Sequence, residues 1–238
     1  MTRPLHPLKN RLLAALSPED FQLLSPHLAH VELEKGRLLY DPGDEIDVAY
    51  FPDNAVISLM TLMNNGDAIV NATIGREGAL GLTIAVAPRQ AYNRAVVQVA
   101  GHAWRIAARP LHEAWQRRPA ISLIVDRHGD ALFAHAAQSV ACNALHTVEA
   151  RLSRWLLACR DRIDGDTIPL TQEYLASMLG VQRTTVTAVA GALQAKGLIR
   201  YRRGVVDILD RAGLEAIACE CYARVRDTYA RLLPATSS

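Results

Sequence analysis

The 238-residue chain is poor in aromatic side chains, with three Phe, three Trp and seven Tyr. A platform for single-stranded nucleic acid needs a row of stacking rings, so that class is disfavoured. Cysteine is absent before Cys142, and the four present, Cys142, Cys159, Cys219 and Cys221, form no C-x-x-C pair. Their spacing argues against a secreted disulfide framework and against the common zinc and iron–sulfur patterns. Cys219 and Cys221 are two apart, which on a helix points them about 200° from one another. Long apolar runs are also missing. The longest uncharged stretch, Ala131 to Val148, contains His135, Gln138, Ser139, Asn143, His146 and Thr147 and is too polar for a bilayer span. Met1 to Leu16 has neither the apolar centre nor the cleavage signal of a secretory leader. A cytoplasmic protein without a membrane partner is expected. Net charge is nearly absent, at +2 from 26 basic and 24 acidic residues, so only local charge is informative. No G-x-S-x-G, P-loop or dinucleotide fingerprint occurs.

What is present suits one or two globular domains: half the residues are hydrophobic and 21% are charged. Ser17-Pro18-Glu19-Asp20 is a helix start, with Ser as N-cap, Pro at the first position and acids in the first turn. From Val31 the period drops to two. Short strands are expected around Val31, Leu38 to Tyr40, Val48 to Phe51, Val56 to Met63, Ile69 to Ile74, Arg94 to Val99 and Trp104 to Ala107. Turn signals separate them, at Pro42-Gly43-Asp44, Pro52-Asp53-Asn54 and Asn64-Asn65-Gly66-Asp67. Such spacing indicates a small β-barrel, jelly roll or sandwich over roughly 30–109.

Strand signals stop at Pro110. A short helix is expected over 111–118, and Pro119 starts a second that runs to about Asn143. On it Ile121, Val125, His128, Leu132 and His135 share one stripe. A helix this long needs a surface to cover that stripe, and a second copy of the chain is the simplest. A third helix is expected over about Thr147–Ile163, with Val148, Leu152, Trp155, Leu156 and Cys159 inward.

The segment from Gln172 onward, QEYLASMLGVQRTTVTAVAGALQ, fits a helix-turn-helix. Ala176 is small where the second helix crosses, and Gly180 lies in the turn, where positive φ is needed. Leu175, Leu179, Val181, Val186 and Val189 close a core between the two helices, and Thr171 caps the first. Lys196-Gly197 ends the second helix. Leu198 to Leu209 then alternates and turns at Arg203-Gly204, giving a hairpin with a basic tip, the wing of a winged helix. Residues 171–206 hold five basic residues and one acid, a local +4, leaving −2 for the rest of the chain. Positive charge thus sits where double-stranded DNA would lie. Gln182, Arg183, Thr184 and Thr187 are expected to face the major groove: Arg183 for guanine, the threonines for phosphate or a thymine methyl. Arg200, Arg202 and Arg203 complete the expected contact set, the wing-tip pair on phosphate.

A β domain, a long helix and a C-terminal winged helix-turn-helix, in that order, resemble the Crp–Fnr family of bacterial transcription regulators over residues ~17–220. The resemblance is carried by Asp41-Pro42-Gly43-Asp44, by Gly78-Ala79-Leu80-Gly81 and above all by the helix-turn-helix with its wing. Cys142 to Leu157 also resembles the hinge and following helix of one branch of that family. The resemblance implies an α+β chain: a β-roll or jelly-roll sensor domain at 1–118, a dimerisation helix at 119–146 and a winged helix-turn-helix domain at 147–238. It further implies a homodimer on a two-fold DNA site in contact with RNA polymerase. In that family the β domain often holds a cyclic nucleotide, through a Gly-Glu-x-Gly segment and a later Arg-Ser or Arg-Thr pair. The candidates here are Gly78, Ala79 and Gly81 in the aligned segment, Glu77 one register out of it, and Arg94. Ala79 stands where the ribose-binding carboxylate is needed, and Ala95 where the hydroxyl is needed. No cyclic nucleotide or other cofactor is therefore expected, and any effector is unidentified.

Two rival classes remain at this level. A β-barrel metal enzyme would need clustered ligands on the strands, where His30 and His102 look isolated. A protein-binding winged helix would leave the basic tip unexplained. His128 and His135 are read as interface residues that fix register rather than as a metal or pH sensor. Cys142 and His146 share a helix face, but two ligands do not make a metal site.

Overall fold

The structure, a computed structural model, describes residues 8–87 and 89–233; the reading of the N-terminal stretch over Met1–Pro7 lies outside the described residues. Two short helices open it, α1 (Arg11–Ala14) and α2 (Pro18–Leu24). Asn10 caps the first by accepting from the N–H groups of Leu12 and Leu13. Its Nδ2 donates to the carbonyls of Pro52 and Gly78, which fixes the N-terminal segment to the domain that follows. Ser17 caps the second, with Pro18 at its first position, as the sequence predicts.

Nine strands follow: β1 (Ala29–Leu33), β2 (Leu38–Tyr40), β3 (Glu45–Ile46), β4 (Val48–Pro52), β5 (Val56–Leu62), β6 (Ala68–Ile74), β7 (Arg89–Gln90), β8 (Arg94–Val99) and β9 (Gly101–Ala107). One sheet has the order β1-β9-β4, a second β2-β8-β5-β6, and β3 pairs with β7, all antiparallel. Leu33, Tyr50 and Ala103 of the first sheet share a core with Tyr40, Ile57, Ile74 and Val97 of the second. This is the small β domain expected from the alternating stretches, arranged as the β-roll that the family resemblance implies. His30 and His102 are not isolated: their strands pair, their rings stack at 5.2 Å, and His30 also meets Asp53 at 2.9 Å.

After α3 (Ala108–Arg117) comes the long helix α4 (Pro119–Leu145). Its expected dimer stripe is covered by the chain itself, which corrects that reading. Ile121 and Val125 pack with Leu12, Leu24, Phe51, Trp104 and Leu111. Leu132 lies against the core between the two sheets. His128 is buried, and its Nε2 accepts the Ala79 N–H at 3.1 Å. A Cβ on Gly78 would come within 2.8 Å of that nitrogen, so only glycine allows the approach. His135 is buried with its ring edge-on to Tyr229. The stripe is legible as a stripe, but the β-roll and a last helix reach it first.

The remainder comprises α5 (Val148–Arg160), β10 (Thr167–Ile168), α6 (Gln172–Leu179), α7 (Arg183–Ala195), β11 (Ile199–Arg202), β12 (Val205–Ile208), α8 (Arg211–Ile217) and α9 (Cys221–Leu232). The sheet β10-β12-β11 is the wing. Leu152, Leu156, Leu175, Leu179, Val186, Leu193 and Val206 form its core with the helices, and Val56, Val70 and Val99 of the β-roll join the same cluster. Polar ties cross the same seam. Ser58 and Tyr174 hydroxyls meet at 2.5 Å, and Ser177 Oγ donates to Ala68 O at 2.8 Å. Arg162, buried, grips Glu77 at 2.7 Å and also donates to Thr73. No helix among the described residues is long and apolar enough to cross a membrane.

Candidate functional site

Thr171 caps α6 by accepting from the Tyr174 N–H, and Gly180 ends it at φ +61°. That left-handed turn directs the chain into α7, where Val186, Ala190 and Leu193 are buried. The opposite face of α7 is open. Gln182, the N-cap residue, and Arg183, Thr184 and Thr187 are all exposed. Thr187 Oγ1 donates back to the Arg183 carbonyl at 3.1 Å. Arg183 is not free: Nε donates to Gln172 Oε1 at 3.0 Å and Nη1 meets Glu173 Oε1 at 2.6 Å. Sequence reasoning has no way to place those α6 side chains against the start of α7.

The wing turns through two residues. Arg202 pairs with Val205, and Arg203 and Gly204 between them both have positive φ, 48° and 76°. A two-residue hairpin of that geometry follows the native strand twist. Arg200, Arg202 and Arg203 are exposed. The arrangement offers donors along one helix face and a row of guanidinium groups beside it, the chemistry that meets phosphate and base edges.

The β-roll candidates divide. Ala79 and Gly81 line a cavity of about 330 Å³ between the roll and α4, together with Leu59, Ile74, Val125, His128 and Leu132. Glu77 and Arg94 do not line it, nor does Gly78. Glu77 turns the other way, onto Arg162, beside a larger cleft of about 770 Å³ lined by α5 and α9. Arg94 makes a two-pronged pair with Asp41, at 2.9 and 2.7 Å, in the Asp41–Asp44 turn. Among the described residues the cavity is lined by apolar and neutral polar side chains. Burial holds His128 down, to about 4, so it stays neutral there and keeps accepting from Ala79. Burial also depresses His135, helped by the nearby Arg162 and Arg154. The expected pair of carboxylate and arginine is thus already committed to protein partners.

One cluster has no signature in the sequence. Cys142, His146, Cys219 and Cys221, from two separate segments, place their sulfur and nitrogen atoms within 4.8 Å of one another. Spacing alone shows two pairs of residues, 77 positions apart from Cys142 to Cys219, and no local signal links them.

Residues 150–217 match the family model of the Crp-like helix-turn-helix domain. That segment is a Crp-like helix-turn-helix domain, and the whole chain shares its fold with solved structures of Crp/Fnr-type regulators. Among solved structures, FixK2 from Bradyrhizobium japonicum is similar at 14% identity and TM-score 0.69, over 81% of this chain and 98% of that one. The c-di-GMP-responsive global regulator CLP of Xanthomonas campestris is similar at 16% identity and TM-score 0.63, over 82% and 100%. A CRP-family transcriptional regulator from Thermus thermophilus is similar at 21% identity and TM-score 0.62, over 79% and 96%. No curated protein matches the sequence.

Proposed function

We propose that the chain is a cytoplasmic, homodimeric regulator that binds a two-fold site on double-stranded DNA and acts on RNA polymerase. The observation that carries this reading is the open face of α7, with Gln182, Arg183, Thr184 and Thr187 outward beside the exposed arginines of the wing. Arg183 reads a base edge, while Arg200, Arg202 and Arg203 contact the backbone. The dimer forms on the outer face of α4. There Leu123, Phe133, Val140 and Leu145 are 47%, 77%, 72% and 78% exposed. Leu123, Phe133 and Val140 fall on a heptad seam with Asp126, Asp130, Ala137 and Ala144, the spacing of two paired helices.

The cavity between the β-roll and α4 is the place for an effector, and its lining suits a small neutral or apolar molecule. It does not suit a cyclic nucleotide, because Glu77 and Arg94 are spent elsewhere and each missing polar partner costs roughly 1–3 kcal/mol. Selection of bound fragments from a random duplex library tests the DNA reading. The expected product is an inverted repeat with half-sites about 34 Å apart. Replacing Arg202 and Arg203 with Ala is expected to flatten log affinity against log salt by about one unit for each phosphate no longer met. Recovery of no enriched sequence, with an unchanged salt slope in the double variant, would sink the reading.

A further inference from the structure

The strongest unassigned chemistry lies at the far end of α4. Cys142 is on the last turn of that helix, and His146 is its C-cap residue. Cys219 is in the link after α8, and Cys221 is the first residue of α9. The three cysteines are buried and none is in a disulfide. Cys142 and Cys219 sulfurs are 3.5 Å apart, and Cys221 Sγ lies 3.5 Å from His146 Nδ1. A tetrahedral zinc ion with Zn–S of about 2.3 Å and Zn–N of about 2.0 Å spaces its ligand atoms roughly 3.5–3.8 Å apart. The donor atoms already stand near that size. An iron–sulfur cluster distributes its thiolates over several irons and needs a wider cage.

We infer that Cys142, His146, Cys219 and Cys221 bind one thiophilic ion, zinc by the character of the donor set. Three thiolates and an imidazole make a closed, four-coordinate set of the kind that holds structural zinc, and a set without oxygen donors does not suit a hard cation. The surroundings support the ligands. His146 Nε2 meets Glu220 Oε2 at 3.1 Å, which directs Nδ1 into the cage, the carboxylate–histidine arrangement that orients metal-bound imidazoles. Gln138 Nε2 donates to Cys221 Sγ at 3.0 Å.

The position gives the ion a task. Cys142 and His146 bracket the end of α4, directly before the DNA-binding domain begins its first helix at Val148. Cys219 and Cys221 bring the end of that domain back to the same point. The ion therefore pins the joint through which α4 carries α7. This last step rests on the proposed DNA-binding role; metal binding itself does not, and it is measured without DNA.

The full-length protein, reduced and stripped with a chelator, is titrated with zinc and separately with cobalt(II). One ion per chain is expected, with thiolate-to-cobalt charge-transfer absorption and the visible bands of a tetrahedral site. Cys142→Ser and Cys221→Ser are each expected to weaken binding by at least ~100-fold, and Glu220→Gln by about 10-fold. His146→Ala is expected to weaken it, whereas His146→Cys keeps four donors and keeps the ion. Cys159→Ala, at a buried cysteine outside the cage, is expected to retain one ion and serves as the control for folding, followed by circular dichroism. The proposal is overturned by cobalt spectra without thiolate bands. It is equally overturned by full zinc retention in a Cys142→Ser, Cys219→Ser double variant, or by a Cys142–Cys219 disulfide in protein that never takes up metal. With one ion bound, stripping it is expected to weaken DNA binding at least ~10-fold, a loss of about 1.4 kcal/mol. Unchanged DNA affinity would overturn the joint-pinning role while leaving the site itself standing.

Discussion

Helices α4 and α7 are each half spent inside the chain, and they differ in what they leave outside. The inner face of α4 packs Ile121 and Val125 on the β-roll and places His128 on the Ala79 backbone. The inner face of α7 packs Val186 and Leu193 into the winged-helix core. The outer face of α4 carries Leu123, Phe133, Val140 and Leu145, and the outer face of α7 carries Gln182, Arg183, Thr184 and Thr187. The exposed apolar side chains of that α4 face, concentrated from Phe133 to Leu145 beyond Asp126 and Asp130, are covered favourably by another apolar face. A polar, donor-rich one loses nothing in water and gains most against an anionic surface. The contrast supports the proposed division into a surface for a second copy and a surface for DNA, and it makes the two faces of α4 unequal in what a substitution does.

The largest effect is expected on the inner face. Ile121→Ala leaves a cavity among packed side chains and should cost about 2–5 kcal/mol of stability. Denaturant unfolding at one fixed protein concentration reads it. Sedimentation in the absence of denaturant should still show wild-type association. A variant that dissociates while its unfolding curve stays in place would reverse the assignment of the two faces.

His128 tests the same face by pH. Its folded-state pKa is pushed down to about 4 from the ordinary 6.5, because burial disfavours the charged ring. Between those values the unfolded chain takes up a proton that the folded chain refuses. The stabilisation is therefore complete above pH 6.5 and is lost as pH falls towards 4, by up to ~3 kcal/mol. His128→Gln keeps an acceptor for Ala79 and removes the titration. Its stability should change less over that window than wild type, and parallel profiles for the two proteins would contradict the account.

On the outer face, Phe133→Glu places two like charges across a two-fold seam and removes a large apolar contact. The dimer should weaken by roughly 2 kcal/mol or more, about 30-fold in dissociation constant. The protomer fold should hold, since Phe133 is mostly exposed. Sedimentation across a dilution series decides it, and an undisturbed dimer would place the interface elsewhere.

Those two faces also show where sequence reading runs out. The periodicity of Ile121, Val125, His128, Leu132 and His135 is legible, but α4 is apolar on several sides, and periodicity does not say which side meets which neighbour. The competing neighbours are distant in sequence: Phe51 and Trp104 from the roll, Tyr229 from α9. The strands of the roll and the helix-turn-helix are legible because their signals are local. Alternation, turn residues, the Thr171 cap and Gly180 each act within a few positions. No sequence expectation covers α9, although Cys221, Tyr222 and Tyr229 mark its buried side. Without α9 the cysteine cage is invisible, since half its donors lie in the link before that helix and at its first residue. The β-roll candidates divide for a related reason: Gly78, Ala79 and Gly81 can be aligned, but the commitment of Glu77 to Arg162, 85 positions away, cannot be read from either segment.

The smallest effect sharpens the other side of the comparison, the polar face of α7. Arg183 is held by Glu173 and Gln172 in the free protein, and the Arg183–Glu173 pair is on the surface. An exposed ion pair is worth about 0.2–1 kcal/mol, so releasing Arg183 towards a base costs little. Glu173 also adds a negative charge beside an approaching phosphate backbone. Glu173→Gln should therefore tighten cognate and random duplex alike, by no more than about 5-fold, and the gain should shrink as salt rises. Arg183→Ala should act differently, costing about 1–3 kcal/mol on the cognate site and much less on random DNA, with relaxed choice at one base pair per half-site. Both are read by fluorescence anisotropy on both duplexes across a salt series. If Arg183→Ala weakens the two duplexes equally, Arg183 contacts phosphate, and the reading surface of α7 lies further along the helix. If Glu173→Gln tightens only the cognate site, the pair with Arg183 acts on base choice, and the free-state contact is part of specificity rather than a surface ion pair that opens on binding.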